Sequence, residues 1–282
     1  MPLDQLIKFI AADLDKYWRG VFAEAGWAYR PPKEIKVSDV QIDTACGKSE
    51  AGNAGYCPPS HSIYADYNLL YKYYKKFGDF TVLVILAHEW GHSIQSQVGI
   101  TKVKYVGIQV ELQADCFCGA YAKNADKAGY IEEGDLDEGV MGLFNLKDPE
   151  EIKWFDPRAH GRGFQRINSF LDGLKGGPYP CGFVGNLLGI WEAQVTEPGY
   201  PVKITTRFND DATLDTWLTS SSGTVHSRSQ WQYEKGILTQ RDPVGYSSGT
   251  IKWHDGKHIE LMVIQNQDGL SAQGRIRHYY RR

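Results

Sequence analysis

The sequence predicts an α+β protein in which a mostly helical domain, residues 1–185, precedes a small all-β domain, residues 186–282. Two observations support this division. Apolar residues recur at helical spacing up to about residue 175, and beyond "GGPYPCG" apolar and polar residues alternate as they do in strands. Turn-forming residues separate the alternating segments at intervals of about 8 to 12 residues, which is typical of a barrel or sandwich.

The first region contains several predicted helices and short strands. The spacing of apolar residues predicts a helix over residues 3–24, and the Pro-Pro after Arg30 stops any helix there. "KEIKVSDVQ" alternates as a short strand, and "HSIYADYNLLYKYYKKFG" begins extended and becomes helical. Further helices are expected at 80–98, with Gly99 as its cap, at 104–126, and in "GDLDEGVMGLF" and "GRGFQRINSFLDGL".

The second region contains about seven predicted strands. They are "IWEAQVT", "VKITTRF", "LDTWLTS", "SQWQYEKGILTQ", "GTIKWHD", "HIELMVIQN" and "GRIRHYYRR". At their start, "LLGIWEA" resembles the Gly-x-Trp opening of lipocalin-like barrels. We therefore expect a small barrel or sandwich, which offers a surface for a protein partner.

The composition is that of a globular protein and argues against several function classes. The net charge of -3, with 42% hydrophobic and 23% charged residues, does not indicate a nucleic-acid-binding surface. The longest apolar run, which ends at Ala87, is far shorter than the roughly 20 residues of a membrane helix. Asp4, Asp13 and Asp15 interrupt any signal peptide. We therefore expect a cytoplasmic protein that does not insert into membranes.

The five cysteines are too few for a disulfide scaffold. Cys116 and Cys118 are spaced C-x-C, which is a poor zinc-knuckle signature without a second pair nearby. Cys46 and Cys57 flank a Gly-rich loop and are either bridged or, in a reducing compartment, free.

The segment "LVILAHEWGHSIQSQ" places His88 and His92 four residues apart, with Glu89 directly after the first. Positions four apart on a helix differ by about 40 degrees, so both imidazoles project from one face and reach a single ion. Glu89 lies about 100 degrees round the helix, where it takes a proton from a metal-activated water rather than binding the metal. We expect one Zn²⁺ per chain, with Glu89 as general base. A core helix with two satisfied histidines is the alternative interpretation.

A catalytic zinc usually has three protein ligands, so a third is required. In "VGIQVELQADCFCGAYA", Glu111 and Asp115 follow the histidines at i, i+4 spacing on another apolar helix. We expect Glu111 to be the third ligand and Asp115 to accept a hydrogen bond from a ligating histidine. A solvated acidic face is the alternative for this pair. Gly91 has no evident packing role in its helix, and we expect it to leave room for another chain or the substrate beside the metal.

Together these motifs resemble the bacterial neutral zinc metallopeptidase family, a gluzincin-type branch of the HExxH zincins. "HEWGHSIQ" and "ELQADCFCGAYA" carry the resemblance, with "YWRGVFAEAGWAYRPPK", "TACG", "GYCP", "SIYAD", "GDF" and "HGRGFQRI" around them and Cys181 after them. The resemblance covers about residues 5–185. Many members of that family resemble membrane-anchored proteins, so their location is not carried over to this chain.

The resemblance implies a zinc-dependent endopeptidase, a hydrolase that acts on protein or peptide substrates. It implies that the ligands are His88, His92 and Glu111, and that the strand at 62–66 is the edge strand along which an extended peptide pairs. His160, at a loop-to-helix junction in "DPRAHGRGFQRI", is expected to stabilise the transition state, and tyrosines of "YADYNLLYKYY" compete for that role. A metal-stabilised binding or adaptor protein and a latent protease activated by a partner are the alternatives.

Overall fold

The computed structural model describes residues 1–98, 107–146, 161–183, 187–197, 200–234, 237–242, 245–266 and 275–282. The chain divides into two compact units: Met1–Gly20 with Tyr29–Phe183, and Val21–Ala28 with Val184–Arg282. In these described residues, six helices followed by an antiparallel barrel confirm the α+β class. Among the described residues, no helix is both long and apolar enough to cross a membrane.

The helices of the described residues lie where the apolar periodicity predicts them. Asp66 begins the second helix by accepting hydrogen bonds from the backbone N–H groups of Asn68 and Leu69, as an N-cap does. Gly99, the expected cap of the third helix, lies outside the described residues. The helices are α1 Leu3–Ala25, α2 Tyr67–Phe77, α3 Asp79–Val98, α4 Gly107–Lys127, α5 Asp135–Asn145 and α6 Gly163–Gly176.

A three-stranded sheet accompanies these helices, and it corrects one expectation. Its strands are β1 Ile35–Ser38, β4 Ala54–Cys57 and β5 Ser62–Asp66, while β2 Asp43–Thr44 and β3 Gly47–Lys48 form a separate small hairpin. The order is β1-β5-β4, with β5 parallel to β1 and antiparallel to β4. The prediction that the strand at 62–66 is an edge strand is therefore wrong, because β5 has a partner on each side and the edge strands are β1 and β4.

Helix α3 is buried along most of its length and packs against α2, α4 and α5. Gly91 faces Ala114 of α4, and a Cβ there would lie 3.1 Å from the Ala114 Cα atom. The residue therefore does have a packing role. The space it leaves is filled by the backbone of α4, and not by substrate or another chain, so that part of the expectation is wrong.

Helices α4 and α6 approach each other even more closely. A Cβ at Gly119 would overlap the carbonyl oxygen of Phe170, and one at Gly173 would overlap that of Cys116. Because both positions are glycine, the two backbones come into direct contact.

Two disulfides are present in the first unit. Cys116 of α4 is bridged to Cys181, 65 residues later. Cys46 is bridged to Cys57, which is one of the two alternatives that the sequence leaves open. Cys118 is free and buried. The long-range bridge was not anticipated from the C-x-C spacing.

The second unit contains a closed barrel of eight antiparallel strands, a fold consistent with a separate β domain. The predicted segment "SQWQYEKGILTQ" divides between two strands, so eight strands form where seven were expected. Trp191 of the Gly-x-Trp sequence is fully buried, and its indole N–H donates to the Leu187 carbonyl at 2.8 Å. The strands are β6 Gly189–Glu197, β7 Tyr200–Phe208, β8 Thr213–Ser220, β9 Gly223–Glu234, β10 Ile237–Asp242, β11 Gly245–Asp255, β12 His258–Asn266 and β13 Ile276–Arg281.

Candidate metal centre

The two histidines of α3 project from one face of the helix, as the spacing predicts. The Nε2 atoms of His88 and His92 lie 3.2 Å apart, and the ring centroids are 4.7 Å apart. His88 is only 6% exposed, and His92 is half-buried. Both rings therefore present one nitrogen to the same point.

Glu111 brings a carboxylate from α4 to that point. Its Oε2 lies 3.2 Å from Nε2 of His88, and its Oε1 lies 3.5 Å from Nε2 of His92. Burial raises the pKa of Glu111, but hydrogen bonds from the two imidazoles outweigh this and hold it well below its ordinary value. The carboxylate is therefore ionised and available as a donor. Two imidazole nitrogens and one carboxylate form a donor set that zinc prefers, and a zinc ion held by these three residues would have room for a water molecule as its fourth ligand.

A buried charged pair orients His88 from behind. The ring Nδ1–H donates to Oδ1 of Asp115 at 2.8 Å, and Asp115 accepts two further hydrogen bonds from Arg166 of α6, each 2.8 Å long. Asp115 is 0% exposed and Arg166 is 4% exposed. Burial lowers the pKa of His88, but the charge of Asp115 and the hydrogen bonds to Asp115 and Glu111 together outweigh burial and raise the pKa to about 10. When His88 gives up one proton to bind a metal, the pair keeps the other proton on Nδ1, so that Nε2 is the nitrogen that faces the donor cluster.

Gln95 orients the ring of His92 in the same way. The ring Nδ1–H donates to Oε1 of Gln95 at 2.8 Å, so Nε2 is turned toward the donor cluster. The Gln95 amide in turn donates to the Val110 carbonyl at 2.6 Å and to Oε1 of Gln113 at 3.0 Å. Gln113 then donates to the Cys181 carbonyl at 2.8 Å. Each histidine is therefore anchored to α4 through its second ring nitrogen.

Glu89 and Tyr64 line a cavity of about 450 Å³ that also contains the three donors. Glu89 is 8% exposed and lies on α3 directly after the first histidine. Tyr64 of β5 is paired in register with Gly55 of β4, and a Cβ at Gly55 would overlap the tyrosine hydroxyl. Burial and the nearby charge of Glu89 raise the pKa of Tyr64, so its phenol is a hydrogen-bond donor at neutral pH.

The structure thus brings together His88, His92 and Glu111, with Asp115 behind them. His160 lies outside the described residues, so its proposed role stays a prediction. Sequence reasoning assigned no role to Arg166, although a lone arginine in the apolar stripe of a helix was a signal that it pairs with a buried acid. Gln95, one turn after His92, was also missed.

The chain is similar to several known proteins. A family model described as "Putative neutral zinc metallopeptidase" matches residues 2–182. The chain is 28% identical over 209 residues to the Escherichia coli K12 protein named Uncharacterized protein YpfJ, covering 64% of this chain and 72% of that one. It is 32% identical over 96 residues to Uncharacterized protein Mb2605 of Mycobacterium bovis, covering 29% of this chain and 32% of that one. No solved structure matches.

Proposed function

The chain belongs to the neutral zinc metallopeptidase family, and from that premise we propose that it is a zinc-dependent endopeptidase. The observation that carries the proposal is the convergence of His88, His92 and Glu111 on one point beside the Glu89 carboxylate. A structural zinc site is normally closed by four protein ligands. Here three donors face an open cavity, which favours catalysis over an adaptor role.

The three donors would hold one zinc ion, and their surroundings support this assignment. When bound, zinc activates a water molecule and polarises the scissile carbonyl. Glu89 accepts the proton of the attacking water at its carboxylate and passes it to the leaving amine. Asp115 and Gln95 keep the histidine rings in the orientation that zinc binding requires.

Tyr64 is the described residue best suited to stabilise the oxyanion that develops on the scissile carbonyl. Its phenol lines the same cavity as Glu89. Because its pKa is raised, the hydroxyl stays protonated and can donate a hydrogen bond to the oxyanion. Tyr56 also lines the cavity, but its hydroxyl lies 2.7 Å from Nδ1 of His61 and is already engaged there. His160 remains the other candidate for this role.

We propose that an extended peptide substrate binds along β4. This strand pairs with β5 on one side, and among the described residues no strand pairs with its other side. Residues 53–56 line the cavity, so a peptide added to this edge passes in front of the metal donors. Main-chain hydrogen bonds to such an edge hold a substrate with little dependence on its sequence.

We propose an oxidising compartment for this chain in place of the cytoplasm. Two disulfides support this, because such bonds are rare in reducing compartments. Alkylation of the natively produced protein under denaturing conditions should modify Cys118 alone, whereas all five cysteines should react after reduction. Five reactive thiols without reduction would restore the cytoplasmic expectation.

We also propose that residues 1–185 and 186–282 are separate domains. The composition change after residue 175 and the barrel closure support the split, although Val21–Ala28 groups with the second unit. A fragment of residues 1–185 should fold and bind zinc. An insoluble or metal-free fragment would mean that the barrel is needed to complete the first unit.

Metal content and casein cleavage, with and without a chelator, test the endopeptidase proposal. The full chain should bind zinc in the donor cluster and cleave casein, and chelation should stop cleavage. Glu89→Gln should abolish cleavage and retain zinc, while His92→Ala should lose both. Glu133→Gln, at an exposed glutamate, is the matched control and should cleave normally. Zinc binding without cleavage in the wild type would favour the adaptor alternative.

A further inference from the structure

Three of the eight histidines lie side by side on the outer surface of the barrel. They are His254 on β11, His258 on β12 and His278 on β13. Their sequence neighbours Trp253, Ile259 and Tyr279 are buried, and side chains alternate between the faces of a strand. The three imidazoles therefore point away from the barrel interior, on three adjacent strands.

The imidazoles are close enough to share one ion. One nitrogen of each ring lies within 4.8 Å of the others, and Nε2 of His258 is 3.1 Å from Nδ1 of His278. Nitrogen ligands of a tetrahedral zinc ion lie roughly 3.4 Å apart, so His258 and His278 already have nearly the required spacing. His254 and His278 are exposed on the barrel surface, so no core packing prevents a small adjustment of their rings.

Neighbouring residues hold two of these rings in place. His258 is stacked between His254, at a centroid distance of 4.4 Å, and Tyr280, at 4.5 Å. Nε2 of His254 donates a hydrogen bond to Oε2 of Glu260 at 3.2 Å. This bond places the ring proton on Nε2 and leaves the lone pair of Nδ1 available to bind a metal ion. A carboxylate that orients a histidine through its second nitrogen is the usual partner of a metal-ligating imidazole.

We propose that His254, His258 and His278 form a second metal site, which binds one divalent late transition-metal ion such as Zn²⁺. Imidazole donors select zinc, copper or nickel over magnesium and calcium, which prefer oxygen. Three protein donors leave a further position for water or for a donor from outside the chain. The site joins the last strand, β13, to β11 and β12, so the ion also stabilises the folded barrel.

Zinc stoichiometry in the full chain tests this proposal. The wild type and a His254→Ala/His278→Ala variant are dialysed against the same concentration of Zn²⁺, and bound metal is measured by mass spectrometry. The variant should bind one ion fewer than the wild type. This difference does not depend on the proposed function, because failure of the α3 site lowers both counts equally. Equal counts would overturn the second site.

Two further variants sharpen the test. His226→Ala is the matched control, because His226 is an exposed barrel histidine that pairs with Asp215 and lies outside the cluster. It should retain the wild-type count. Glu260→Gln should weaken the second site roughly 10- to 100-fold, measured by competition with a zinc indicator. If Glu260→Gln and His226→Ala have the same affinity, Glu260 does not orient a metal ligand and the proposal fails.

Discussion

Replacing Arg166 with methionine tests whether a buried ion pair supports the metal centre. Arg166 and Asp115 are joined by two hydrogen bonds of 2.8 Å, and both residues are buried. Removing one partner of such a pair leaves an uncompensated charge, which costs about 3–5 kcal/mol. For a unit of this size that corresponds to a fall in melting temperature of roughly 6 to 20 °C. Without its guanidinium partner, Asp115 should also orient His88 less well.

The assay is thermal unfolding in the presence of a chelator, followed by zinc affinity. Arg166→Met should lower the melting temperature of the metal-free protein and weaken zinc binding roughly 10- to 100-fold. Lys175→Met is the matched control, since Lys175 is an exposed cation on the same helix and its loss should cost less than about 0.5 kcal/mol.

A double variant separates the two effects. Adding Asp115→Leu to Arg166→Met removes both charges, so much of the stability should return while zinc affinity stays low. If Arg166→Met is as stable as the Lys175 control, the pair carries no net stabilisation and the reasoning is wrong.

Three further predictions concern Tyr64, the disulfide between Cys116 and Cys181, and the pKa of His88. Tyr64→Phe should lower kcat on casein about 100-fold or more with zinc retained. Tyr71→Phe, at an exposed tyrosine, is the control and should not lower kcat. Unchanged turnover in both variants would assign the oxyanion role to His160 instead of Tyr64. Cys116→Ala/Cys181→Ala should destabilise the chain by about 4 kcal/mol in urea unfolding, because the bridge closes a long loop; an unchanged midpoint would contradict this. The folded-state pKa of His88 is about 10, above 6.5, so its contribution to stability is complete below pH 6.5 and is lost as the pH rises through 10. The urea midpoint of the metal-free protein should therefore fall over that range, and fall less in His88→Gln.

Local features of this chain could be predicted from its sequence because each depends on neighbouring residues. The helix around His88 and His92 follows from an apolar run with i, i+4 spacing, and the structure places both rings on one face. The barrel strands follow from alternation, which is also local. Glu111 was reached because a third donor was needed and one apolar helix downstream carried an acid.

Features that depend on contact between distant segments could not be predicted. Arg166 lies 51 residues from Asp115, and the spacing of apolar residues does not indicate which acid a buried arginine pairs with. The central position of β5 depends on β1 pairing in parallel on its far side, which no local pattern specifies. The barrel histidines likewise come together only because β11, β12 and β13 are neighbours in the sheet.

The close packing of α4 and α6 links the core of the first unit to its proposed chemistry. Glycines at 119 and 173 let the two helix backbones touch, and Arg166 lies two turns before Gly173 on α6. A longer interhelical distance would pull the guanidinium away from Asp115, and the His88 ring would lose its anchor. Zinc that binds only the folded site stabilises it by mass action, so metal affinity and stability should change together in any variant that widens this contact.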